Sequence, residues 1–383
     1  MEAGKPASPQ RSSFGPRFFL TPHGWPYLLV PFIPIAIVLE LGHAAAGLVF
    51  FSAALGVIPT AALMGRATEE VAAKSGPGIG GLLNVTFGNA PELIIALFAL
   101  EAGLHEVVKA SIAGSILGNI LLVMGAAMLA GGLAEGRKVQ RFDRTAANVQ
   151  SLMLILAVAA LVMPAIFELV EGQGLPRIDE ERVAFDATVE DLSLAVAVVL
   201  IASYVGGLLF SLRTHRDLFN PDYEQGEDTW GWSIRTSVIA LAIAGIAVGL
   251  MSEILVGSIE AASESIGLSE FFIGVIVVAI VGNAAEHWVA VLVAVKDKMD
   301  LSVNIAIGSS AQIALFVAPV LVLMSFVLGP GPMPLVFNGF EIAAVFLAVM
   351  IAQWVTNEGE SNWFEGLQLL ALYVIFGLTF FYA

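Results

Sequence analysis

The sequence has no cysteine among its 383 residues, which excludes disulfides and thiolate metal sites. Charge is scarce as well. Asp, Glu, Lys and Arg make up 13% of the chain, roughly half the share (~25%) of an ordinary soluble domain. A chain so poor in charge cannot clothe itself in a wetted surface, so most of that surface must face lipid. Common catalytic signatures are missing too, with no His-Glu-x-x-His, no Gly-x-Ser-x-Gly elbow and no Walker A loop. Their absence argues against an intramembrane enzyme. Nor is a cleavable signal peptide evident: the first 26 residues are polar and Pro-rich, without an apolar core. Residues 1–26 are expected to form a short cytoplasmic tail.

What the chain does have is apolar sequence in long runs. It is 58% hydrophobic, with a mean hydropathy of +0.87. Eleven stretches approach the ~20 residues that cross a hydrocarbon core. They fall near 27–42, 44–64, 78–100, 108–131, 147–168, 191–212, 234–258, 270–295, 302–328, 336–355 and 364–383. Their Leu, Ile, Val, Ala, Phe and Gly run continuously rather than alternating in ten-residue segments, which favours helices over barrel strands. The expected fold is therefore an all-α polytopic membrane protein of about eleven transmembrane helices. If the N-terminus is inside, only Lys109, Arg177 and Arg182 of the 17 Lys and Arg lie outside. That bias predicts N-terminus in and C-terminus out. The net charge of −16 comes from acidic loops, one external between Glu168 and Asp191, with Asp179, Glu180 and Glu181, and one cytoplasmic from Asp217 to Asp228. Both read first as solvated linkers.

Residues 88–98 read GNAPELIIALF and residues 282–292 read GNAAEHWVAVL. Gly88, Asn89, Ala90 and Glu92 align with Gly282, Asn283, Ala284 and Glu286 at an offset of 194, and the same offset carries Gly114-Ser115 onto Gly308-Ser309. Two matches at one offset define an internal repeat. The expected organisation is an extra N-terminal helix at 27–42, a first five-helix repeat at 44–212, an acidic cytoplasmic linker at 213–233 and a second five-helix repeat at 234–383. Five is odd, so equivalent helices cross in opposite directions. Inverted repeats of this kind serve alternating-access transporters, with the site near the midplane at the repeat interface.

The repeated segment carries the chemistry. A carboxylate near the bilayer centre costs about 2.5–3.5 kcal/mol on insertion scales, so Glu92 and Glu286 each need a partner or a proton. Asn89 and Glu92 are three apart, as are Asn283 and Glu286, and each pair shares a helix face. Carboxylates, amide oxygens and bared carbonyls are what a hard cation such as Ca²⁺ prefers. Gly88 and Gly282 loosen the helix just before each Glu, and Pro91 leaves the Phe87 carbonyl without its usual partner. The second half has Ala285 at that place, so a break there is less enforced. Ser115, Asn119, Ser309, Ser310 and Gln312 in the adjoining spans are candidates to complete the cage, or alternatively helix-packing residues. His287 would shuttle protons or tune Glu286, or pack as a hydrogen-bonded ring. Glu69, Glu70, Glu253 and Glu341 are further candidates for a proton path or gate, against a bland interfacial role.

GNAPELIIALFAL (88–100) and GNAAEHWVAVLVA (282–294) resemble the paired signature segments of the Ca²⁺/H⁺ exchangers, in the Ca²⁺/cation antiporter superfamily. The likeness extends through ATEE (67–70), GGLLNVTFGN (80–89), GSILGN (114–119), SEILVGSIE (252–260), GSSAQIALFVAP (308–319) and SNWFEGLQLLALY (361–373). The resemblance implies ten core helices plus one, with Ca²⁺ held by Glu92 and Glu286. It implies a secondary antiporter that exports Ca²⁺ against protons; the short N-terminal tail and the basic-residue bias lead to the expectation of a bacterial cytoplasmic membrane. Ca²⁺ and H⁺ would be transported ions, without a cofactor or nucleic acid, and with a homo-oligomer left open. Ca²⁺ and protons would compete for the two carboxylates, which cannot both stay charged and empty in a dehydrated cleft. The alternatives are a Na⁺-coupled exchanger or one of broader specificity for Mn²⁺, Na⁺ or K⁺; a channel would differ by failing to couple an uphill flux.

Overall fold

A computed structural model describes residues 18, 21, 24–75, 80, 82–83, 86–134, 139–178, 182, 184–214 and 230–383. Of the expected N-terminal tail only residues 18, 21 and 24–26 are described, and Asp179 to Glu181 and the linker from Asp217 to Asp228 lie outside the described residues. Every apolar stretch is met by a helix: α1 Trp25–Leu41, α2 Ala46–Ala72, α3 Ala90–Glu101, α4 His105–Leu133, α5 Arg144–Val170, α6 Ala187–Thr214, α7 Ile234–Gly257, α8 Glu270–Val295, α9 Met299–Ser325, α10 Gly339–Asn357 and α11 Trp363–Tyr382. Among the described residues nine of these, all but α1 and α3, are long and apolar enough to cross a membrane. The protein is a multi-pass membrane protein.

Local sequence sets the helix ends. Side chains of Asp143, Asp186, Ser233, Asn338 and Asn362 accept the orphan N–H groups that open α5, α6, α7, α10 and α11. At α10 and α11 a Glu three residues on completes a capping box. Helix α2 runs about two turns beyond the expected end, because Arg66 pairs with Glu69 and Glu70 one turn ahead and keeps them within the helix.

Small residues bring the helices together. A Cβ added to Gly114 on α4 would stand 2.0 Å from the Val275 carbonyl oxygen of α8, and one added to Gly366 on α11 would stand 2.4 Å from Leu129 N of α4. Only glycine admits such approaches, which is how helices associate where lipid is as apolar as the side chains. Helix α2 lies along α7, α4 along α8 and α11, and α5 along α9 and α10. At one end of the bundle, Gln140–Arg141 pairs antiparallel with Glu360–Ser361, and the Asp143 N–H bonds Asp300 at the start of α9. The α4–α5, α8–α9 and α10–α11 connections thus share one face, as alternating crossings require.

Candidate functional site

The first half of the repeat is broken and the second is not. Helical backbone at 86–88 stops at Asn89 (φ −96°, ψ 20°) and restarts at Ala90, with Pro91 in the first turn. Proline cannot donate to the preceding turn, so the break falls where the sequence placed it. Glu92 therefore stands in the first turn of α3, where free N–H groups favour an anion. In α8 the helix runs unbroken from Ala279 through Gly282, Asn283 and Glu286 to Val295. A wider π-helical turn over Ile273–Val278 precedes it. Similar turns occupy Gly118–Val123 of α4 and Ile313–Val317 of α9, positions related by the repeat offset. Such turns free backbone groups and gather at functional sites.

Each glycine of the repeat faces the carboxylate of the other half. A Cβ on Gly88 would lie 3.4 Å from Glu286 Oε1, and a Cβ on Gly282 would lie 3.1 Å from Glu92 Cγ. The asparagines exchange partners in the same way. Ser309 Oγ donates to Asn89 Oδ1 at 2.9 Å, and Asn283 Nδ2 donates to Ser115 Oγ at 3.1 Å. Asn89 Nδ2 also donates to Gln312 Oε1 at 2.6 Å, while Asn283 Nδ2 bonds back to Ala279 O at 3.0 Å. Ser309 sits beside the Glu286 carboxylate as well. Glu92 Oε2 and Asn283 Oδ1 are buried without a hydrogen-bond partner, and oxygens of this kind could ligate a hard cation. Among the described residues no three or more His, Asp or Glu side chains are grouped so that they could hold a metal ion by themselves.

His287 meets Asn119 Oδ1 through Nε2 at 3.1 Å, and its ring lies against Gly118. The break before α3, together with α3, α4, α8 and α9, thus places Gly88, Asn89, Glu92, Ser115, Asn119, Gly282, Asn283, Glu286, His287, Ser309 and Gln312 in one interface. The remaining candidates go elsewhere. Ser310 bonds the Ala306 carbonyl of its own helix at 2.9 Å. Glu253 is exposed on α7. Glu341 caps its own helix α10. Glu70, fully buried, accepts the backbone N–H groups of Trp230 and Trp232, the latter at 3.0 Å, and pairs with Arg66 at 3.2 Å. Glu69 pairs with Arg66 at 3.0 Å, is half-exposed, and lies within electrostatic reach of Glu286. The Arg66 guanidinium also stacks 4.8 Å over Trp230. The i, i+3, i+4 spacing of Arg66, Glu69 and Glu70 announces the ion pairs, but no sequence signal ties them to Trp230.

A family model described as sodium/calcium exchanger protein matches residues 45–213 and 236–382, nearly the whole chain. The chain belongs to this family. It is similar, at 46% identity over 92% of its own length and 95% of the relative's, to a Ca²⁺/H⁺ antiporter of Aphanothece halophytica. It is 44% identical to the Ca²⁺/H⁺ antiporter ChaA of Bacillus subtilis, over 91% of this chain and 96% of that one. Among solved structures, native YfkE superimposes with a TM-score of 0.78 at 40% identity, covering 94% of this chain and all (100%) of that one. In this exchanger-family member, the two family-matched segments each contribute one Gly-Asn-x-x-Glu turn to the interface.

Proposed function

We propose that this exchanger-family member moves Ca²⁺ out of the cell in exchange for protons by alternating access. The observation that carries the reading is the crossed pair, Glu92 against Gly282 and Glu286 against Gly88, with buried, unpartnered oxygens on Glu92 and Asn283. Relatives named Ca²⁺/H⁺ antiporters, similar over nearly their full length, support the same exchange. Ca²⁺ takes six to eight oxygen ligands. Glu92 and Glu286 supply the charge, and Asn89, Asn283, Ser115, Ser309 and Gln312 supply or orient neutral oxygens. Without Ca²⁺ the two carboxylates face each other in a low dielectric, and protons replace the missing cation charge. The protein therefore turns over loaded with Ca²⁺ or with protons, and not as a bare dianion. His287, held by Asn119, stands next in sequence to Glu286 and is placed to pass protons to it. Nothing is chemically converted, so the chain acts as a carrier and not as an enzyme.

The two repeats form the halves that rock around this site. The N-terminus faces the cytoplasm, on the basic-residue bias, in a bacterial inner membrane. Proteoliposomes loaded acid inside, without sodium, test the exchange. ⁴⁵Ca²⁺ uptake against its gradient that collapses with a protonophore is expected. Uptake that instead requires sodium or potassium would move the coupling to another ion and overturn the reading.

A further inference from the structure

At the end of the bundle opposite the Arg66 clamp, a second group of charges is buried. Glu106 and Lys109 on α4 and Glu341 in the first turn of α10 are 6%, 0% and 1% exposed. Lys109 Nζ donates to the Glu106 carboxylate and, at 2.9 Å, to the Val336 carbonyl. Its bonds go there and not to Glu341. Glu341 Oε2 accepts the Asn338 N–H at 2.8 Å, but Oε1 is buried without a partner. Beside it lies a pocket of 20 Å³ whose other walls, Ile116, Leu161, Phe337 and Val345 among them, are apolar and offer no donor. The charged groups acting on Glu341 are Glu106 and Lys109 of α4. Arg182, from the loop before α6, acts on Glu106 and pairs with Glu168 at the end of α5 at 3.2 Å.

Glu341 thus faces an ammonium already bonded to Glu106 and Val336, while Glu106 has Arg182 acting on it as well. An ionised Glu341 would be a second anion beside Glu106, with a bare oxygen against hydrocarbon, and an uncompensated buried charge is strongly disfavoured. A proton on Oε1 removes both penalties. We propose that Glu341 holds a proton in a site of its own, separate from the Glu92–Glu286 pair, and that this site sets how pH on its side of the membrane acts on exchange. When Glu341 gives up its proton, the new charge competes with Glu106 for Lys109. Lys109 lies less than two turns from Ser115 on the same helix, and Ser115 holds Asn283 of the ion site. Glu341 acts through α4 as a positioning residue. The pH clause rests on the exchange proposed above; the stored proton does not.

Infrared difference spectra of the full chain in liposomes, titrated with pH, test the proton directly. A buried protonated-carboxyl band is expected in the Glu92→Gln/Glu286→Gln double variant and is lost when Glu341→Gln is added. A double variant without that band, or one whose band survives Glu341→Gln, overturns the proposal. Should Glu341→Gln fail to fold, Glu341→Asp in the same background decides: a shifted band supports the site, and an unmoved band overturns it. For transport, Glu341→Gln should change Ca²⁺ half-saturation by less than about twofold at acid pH on that side while losing the response to alkaline pH there. A pH profile superimposable on the parent's overturns the regulatory role. Loss of proton-coupled uptake in the parent with the band intact would sink the exchange reading and leave the stored proton standing.

Discussion

At the scale of single residues, the site is an exchange of partners between halves. Because a Cβ on Gly282 would press to 3.1 Å on Glu92 Cγ, Gly282→Ala must displace that carboxylate. Ca²⁺ half-saturation is expected to weaken about tenfold, or ~1.4 kcal/mol; an unchanged saturation curve in ⁴⁵Ca²⁺ uptake would show that the cradle does not matter. Glu92→Gln and Glu286→Gln each remove a charged ligand worth about 3 kcal/mol, so exchange should fall ~100-fold or more with the fold intact. Normal transport by either variant would end the assignment. Ser115→Ala removes an acceptor for Asn283 Nδ2 and Ser309→Ala a donor to Asn89 Oδ1, each hydrogen bond worth about 0.5–1.5 kcal/mol. Both should weaken Ca²⁺ affinity, Ser309→Ala the more because Ser309 also sits beside the Glu286 carboxylate; an unchanged saturation curve for Ser309→Ala would show that this contact does not serve binding. These paired residues were legible in the sequence because the repeat printed them twice. Ser310, adjacent to Ser309, was not separable from it: one step along a helix turns the side chain by about 100°.

At the scale of elements, Pro91 and Ala285 explain why α3 starts afresh while α8 runs on. The π-helical turns of α4 and α9 were invisible in the sequence, since they arise where one helix must shift register against another. Close crossings are equally specific. Gly114→Leu would drive a side chain into the Val275 carbonyl, and overpacking of this kind costs about 1–3 kcal/mol or more. Thermal unfolding in detergent should shift down by several degrees, whereas Gly245→Leu, with open space around it, should leave the midpoint unchanged. At the start of α6, the Thr188 N–H holds the Asp186 carboxyl below its ordinary value. The cap it forms is therefore present above that ordinary value and fades as pH falls through the lower, folded one.

At the scale of the whole molecule, Glu70 and Arg66 tie the end of α2 to the segment that enters α7. Glu70→Gln weakens its ion pairs with Arg66 and Lys74 and its bonds to Trp230 and Trp232. Hydrogen exchange of those two amides should accelerate about tenfold or more, while the core of α4 keeps its protection. Equal protection in variant and parent would show that the clamp is held by other contacts, such as the edge-on contact of Trp230 with Phe18 and its tilted contact with Tyr27.

The sequence by itself determined the membrane class, the eleven apolar stretches, the repeat and the two glutamates. Each of these follows from local composition or from self-similarity, which a linear chain displays directly. Only the tertiary structure decided which half each partner comes from, and that Ser310 and Glu253 stand aside. It also decided that Glu341 joins Glu106 and Lys109, more than two hundred residues away in the chain. Packing of one helix on another sets those distances, and a hydrophobic pattern records only that a face is buried, not against what.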